Sequence, residues 1–177
     1  MMLDKKQLQP GVYLYYPGLG VGTVVGVDEV VIAGESLKML VLESVSQSVK
    51  VQVPLNNLEE LGVRPLVSKT RLAGMLETLR HPTPIPGKRA TWNRRFRSYT
   101  EKIQSGLPSA TCEVLAELHQ IRLKKGSLSF GERRMYDKVW SFLVAELAIV
   151  EKMTEESAAA QLEKVLEDGA EALKACA

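Results

Sequence analysis

At 177 residues, 45% of them hydrophobic, the chain is long enough for one ordinary domain or two small ones with real cores. Two cysteines, Cys112 and Cys176, argue against a disulfide framework, and no apolar run approaches the length needed to cross a bilayer. The net charge of +2 averages unlike segments: residues 1–64 carry −2, residues 65–125 carry +8 and residues 126–177 carry −4.

The first third reads as β structure. Residues 12–16, 22–27, 30–32, 37–42 and 49–54 are short runs rich in valine, leucine and tyrosine, and turn formers bound each of them: Pro17-Gly18, Ala33-Gly34-Glu35 and residues 44–48. Five such strands with brief connections predict a small antiparallel barrel. In the last run Val49, Val51 and Val53 alternate with Lys50 and Gln52, so the valines share one face.

Beyond Pro65 the apolar period lengthens from two to about 3.6. Ser68 caps a first predicted helix carrying Leu72, Met75, Leu76 and Leu79, which ends before the proline-rich stretch 82–87. A second starts near Thr91 and runs to Ser105-Gly106. A third covers residues 111–125, with Gly126 beyond its end. Ser129 and Glu132 have capping-box spacing at the head of a fourth, which continues to about Val150, and Thr154 caps a fifth with Glu155 and Glu156 in its first turn. The expected class is α+β: a β domain over residues 1–66, then a compact all-α domain of about five helices over residues 67–177.

Few residues suggest catalysis. Gly18-Leu19-Gly20-Val21-Gly22 resembles a phosphate loop, but such a loop delivers backbone N–H groups at the start of a helix, and here a strand follows. Gly87-Lys88 lacks both the partner glycine and the following Ser or Thr of a nucleotide loop. His81 and His119 have no carboxylate or cysteine at ligand spacing, so they are expected to face solvent or cap helices. No nucleophile elbow occurs. No enzyme, metal or cofactor is expected. The start of the chain lacks the apolar stretch of a secretory signal, which makes the cytoplasm the expected compartment and a membrane partner unexpected.

The most informative segment is 88–97, with Lys88, Arg89, Arg94, Arg95 and Arg97, no acid, and Trp92 between the two basic clusters. Five cations around one large ring suit a polyanion whose bases the ring can wedge or stack against. Trp92 has two readings. Phe96, Tyr99 and Ile103 follow it at helical spacing, which makes it the first residue of a buried face. Alternatively it stands exposed in the first turn, where the helix dipole disfavours Arg94, Arg95 and Arg97 unless phosphate is their partner. Trp140, at helical spacing with Tyr136, Val139, Leu143 and Leu147, is explained by core packing.

Several phrases, in order, resemble the CarD/CdnL family of bacterial transcription regulators: residues 16–22 (YPGLGVG), 53–57 (VPLNN), 62–66 (GVRPL), 92–97 (WNRRFR) and 128–135 (LSFGERRM). The first domain is also similar to the RNA-polymerase-interacting module of the transcription-repair coupling factor. The resemblance implies a Tudor/SH3-like barrel that docks on the RNA polymerase β subunit, and a helical domain that contacts double-stranded promoter DNA near the −10 element. It implies a minor-groove wedge at Trp92, phosphate contacts from Arg94, Arg95 and Arg97, and stabilisation of the open promoter complex at the upstream edge of the melted region. Lys88 and Arg89 join the expected DNA-binding set on charge alone. For the polymerase contact it implies the strands around 37–42 and 49–54, with Val30, Val41, Gln52 and Pro54 as the expected residues. A nucleoid-associated monomer is expected. The alternative is a protein-interaction adaptor whose basic helix touches no DNA.

Overall fold

The computed structural model describes residues 3–32, 34–85 and 90–175. The protein is α+β: a five-stranded antiparallel sheet followed by five helices. The strands are β1 (Tyr13–Tyr16), β2 (Gly20–Ile32), β3 (Glu35–Ser44), β4 (Lys50–Pro54) and β5 (Arg64–Pro65), and a 3-10 turn (Leu55–Asn57) follows β4. The helices are α1 (Lys69–Arg80), α2 (Trp92–Gln104), α3 (Pro108–Lys125), α4 (Phe130–Glu151) and α5 (Glu155–Ala175). Two compact units result, one of residues up to Leu66 together with Gln104–Gly106, the other of Val67–Ile103 and residues from Leu107 onward.

The strand order β4-β3-β2-β1-β5 leaves β4 at one edge. One face of the sheet closes over Leu14, Val24, Leu40, Leu42 and Val53, and Leu58 and Val63 from the following turn complete this core. Two expectations need correction. Residues 22–27 and 30–32 are not separate strands but parts of the 13-residue β2. Asp28 and Glu29 continue the strand, because they lie in a long hairpin opposite Met39 and Lys38 with their carboxylates in the open. Asp28 accepts a hydrogen bond from Gln52 (3.3 Å) and Glu29 accepts one from Ser36. The fifth strand is instead the two-residue β5, where Arg64 pairs with Tyr15 and Pro65 with Leu14. A proline is tolerable there because an edge strand need not donate on its outer side.

Helix ends follow their capping chemistry. The Ser68 hydroxyl accepts from the Arg71 amide at α1, and the Thr154 hydroxyl accepts from the Ser157 amide at α5. At α4 both halves of a capping box form, the Ser129 hydroxyl accepting from the Glu132 amide and the Glu132 carboxylate accepting from the Ser129 amide. The third helix starts three residues earlier than its apolar pattern suggested, because Pro108 at the first helical position has a pre-set φ and no N–H to satisfy. α3 and α4 supply most of the helical core, including Leu115, Leu118, Ile121, Val139 and Leu147, and α5 adds Leu162 and Val165.

Candidate nucleic-acid interface

The face of α2 that carries Trp92, Phe96, Tyr99 and Ile103 is divided along its length. Tyr99 and Ile103, in the last turns, are buried; Phe96 is 48% exposed and Trp92 is half-buried. The expectation of a single buried face therefore holds only for its second half. Trp92 is held rather than hidden. Its ring lies 5.5 Å from that of Phe96 and 6.5 Å, edge-on, from that of Tyr99. Its indole rests on Gly131 in the first turn of α4, where a methyl group would come within 2.8–2.9 Å of three indole atoms, so only glycine lets the ring sit there.

The three arginines around Trp92 do different things. Arg95 turns inward: one terminal nitrogen reaches Glu132 Oε1 at 2.6 Å, with the two side chains only 11% and 2% exposed, and its Nε donates to the Ala90 carbonyl at 3.3 Å. Its guanidinium carbon also stands 5.5 Å from the Trp92 ring centroid, close enough for a cation–π contact. Arg95 thus links the wedge candidate to the capping box of α4. Burial alone would weaken its charge, but Glu132 and Tyr99 more than offset that and raise its pKa. Burial would likewise raise the pKa of Glu132; hydrogen bonds from Arg95 and Ser129, with the charge of Lys125 at 3.5 Å, pull it down to about 2. The expectation places Arg95 on phosphate; in the structure its guanidinium is paired with a buried carboxylate.

Arg94 and Arg97 point to solvent, and among the described residues neither has an ion-pair partner within 4 Å. Both lie in the first two turns of α2, where no acid offsets the helix dipole. Lys88 and Arg89 lie outside the described residues. Beside this surface stand three residues the sequence reading passed over. Phe130, the first residue of α4, is 80% exposed, with the Arg134 guanidinium 6.0 Å from its ring centroid, and Arg133 is exposed next to it. Their signal was present in residues 128–135, where Glu132 and its serine drew attention as a cap.

The other candidate residues gather on the sheet. Gly26, Val41 and Gln52 are directly opposed across β2, β3 and β4; Asp28, Met39 and Pro54 form the next row on the same face, and Val30 with Leu37 the one after. Val30, Val41, Gln52 and Pro54 therefore share the face opposite the core. Val41 is only 8% exposed there, at the floor of a shallow depression of about 570 Å³ walled by Gly26, Asp28, Lys50 and Gln52. β4 borders it as an edge strand of the sheet among the described residues.

Elsewhere, Trp140 is half-buried rather than a core residue. It stacks on Tyr136 with the ring planes 14° apart and lines a cleft of about 450 Å³ with His119, whose pKa burial and Arg122 lower. His81 is the C-cap residue of α1, its amide donating to the Glu77 carbonyl. Cys112 is buried in α3, and Cys176 lies outside the described residues. Among the described residues no three His, Cys, Asp or Glu side chains cluster as metal ligands, and no helix is long and apolar enough to cross a membrane.

Comparison with known proteins matches both units to one family. Residues 74–163 match the CarD C-terminal domain, and residues 8–67 match the CarD-like/TRCF RID domain. YdeB of Bacillus subtilis (strain 168), whose name describes it as a proposed transcription factor, is 24% identical over 147 residues, which cover 83% of this chain and 94% of that protein.

Proposed function

Because this chain belongs to the CarD family, a family of transcription factors rather than of enzymes, we propose that it docks on the RNA polymerase β subunit and stabilises the open promoter complex. Residues 67–177 form the DNA-binding domain in this reading and residues 1–66 the polymerase-binding domain. Trp92 is the wedge. It enters the minor groove at the upstream edge of the bubble and opposes re-annealing, since stacking of a base on an aromatic is worth roughly 1–3 kcal/mol.

One observation carries most of this reading: a tryptophan that is only half-buried yet held from below by Gly131 and from the side by Arg95, beside two exposed arginines with no ion-pair partner among the described residues. A ring filling a core would be covered; a ring left to wander would insert at a high cost in entropy. Arg94 and Arg97 take the phosphates, and Arg95 with Glu132 fixes the indole instead of touching DNA.

On the sheet, Val30, Val41, Gln52 and Pro54 form the docking surface, and β4, an edge strand among the described residues, offers strand pairing. Docking concentrates the helical domain at the promoter, so weak intrinsic DNA affinity suffices.

Salt separates this reading from an adaptor that never touches DNA. Affinity for a duplex should fall steeply with rising salt, and Arg94→Ala and Arg97→Ala should each reduce the slope of log affinity against log salt by about 1, as expected for loss of one phosphate contact. Fluorescence anisotropy at several salt concentrations measures it. A flat response in the wild-type protein favours the adaptor.

A further inference from the structure

Phe130 is the most exposed of the large hydrophobic side chains among the described residues, at 80%. A scattered surface hydrophobe needs no explanation, but the setting of this one is unusual. The first position of a helix has no need of an apolar side chain, and the capping box of α4 is complete without it. Residues 122–134 carry Arg122, Lys124, Lys125, Arg133 and Arg134 against a single acid, Glu132, which is buried, paired with Arg95 at 2.6 Å and 3.5 Å from Lys125. All five of those bases are exposed. The next residue, Gly131, is the seat of the Trp92 indole. An aromatic ring left wholly or partly in water beside exposed cations thus occurs twice, once at the head of α2 and once at the head of α4, and Gly131 brings the two together.

We propose that Phe130 is a second stacking platform, which receives an unpaired base of the melted DNA strand while Arg133, Arg134 and Lys124 hold the adjoining phosphates. This rests on the DNA-binding reading above and adds its substrate class: single-stranded DNA next to duplex, rather than duplex alone. The chemistry favours a base over a protein partner. A phenyl ring makes no hydrogen bond and reads no sequence, but every base offers it a π-face, and the Arg134 guanidinium at 6.0 Å lies where a base and its phosphate can use both groups at once. An apolar protein partner would instead have to desolvate five exposed cations, of which only Lys125 has a carboxylate, Glu132, within 4 Å among the described residues.

The full-length protein is titrated by fluorescence anisotropy into two DNA probes of identical length, a perfect duplex and the same duplex with a central unpaired bubble. Wild type should bind the bubble probe more tightly. Phe130→Ala should keep the duplex affinity and lose that preference, with bubble affinity falling on the order of tenfold; Phe130→Trp should restore it. Equal bubble-to-duplex ratios in wild type and Phe130→Ala overturn the proposal while leaving the wedge reading intact, and so does an equal loss on both probes, which makes Phe130 a general contact. If wild type binds neither probe in a salt-dependent way, both readings fall.

Discussion

Replacing Glu132 by alanine should lower the unfolding free energy by about 3–5 kcal/mol, the cost of stranding the buried partner of an ion pair, to which a broken capping box contributes about 1 kcal/mol. The expectation is this large because one carboxylate does two jobs: one oxygen accepts from Arg95 at 2.6 Å and the other from the Ser129 amide at 2.9 Å. Glu132→Gln separates them, since its carbonyl can still accept at the cap while the charge opposite Arg95 is gone. Urea unfolding of both variants measures it, with Gln expected between Ala and wild type. A loss below about 1 kcal/mol for alanine would show the pair to be incidental. The pH dependence has a definite sign. The folded pKa of about 2 lies below the ordinary 4.5, so the stabilisation is fully present above pH 4.5 and is lost as pH falls through 2. Wild type should therefore lose stability over that window faster than Glu132→Gln.

Val41→Lys should weaken binding to RNA polymerase by at least about thirtyfold, the effect of a 2 kcal/mol hot spot. Val41 lies at the floor of the depression between Gly26 and Gln52, where a partner side chain would displace water from it. It projects from the face opposite Leu40 and Leu42, so a lysine can extend its stem outward without entering the core. The unfolding midpoint should move little. Binding of purified polymerase to immobilised variants is the measurement, and unchanged affinity in a folded Val41→Lys would remove this face from the docking surface.

Local chemistry with a short range was legible in the sequence. Ser68, Ser129 with Glu132, Thr154 and Gly126 mark helix ends because each cap is settled within a few residues. Partnership between distant residues was not. Nothing in residues 94–97 distinguishes Arg95 from its neighbours; it differs because Glu132, 37 positions later, is buried against it. Trp92 is neither wholly core nor wholly free for the same reason, since its seat is Gly131. The continuity of β2 through Asp28 and Glu29 depends on a hairpin partner, β3, which pairs them with Met39 and Lys38. β5 is too short to show any period. Phe130 was overlooked because helical spacing assigns apolar residues to a core, and only the structure leaves that ring in water.

The wedge is tested most directly by the lifetime of the open promoter complex, followed after a competitor challenge in a reconstituted transcription reaction at saturating protein. Wild type should lengthen that lifetime. Trp92→Ala, with its unfolding midpoint and polymerase affinity near those of wild type, should shorten it on the order of tenfold, toward the value without the protein. An unchanged lifetime with a folded, polymerase-bound Trp92→Ala would contradict the wedge.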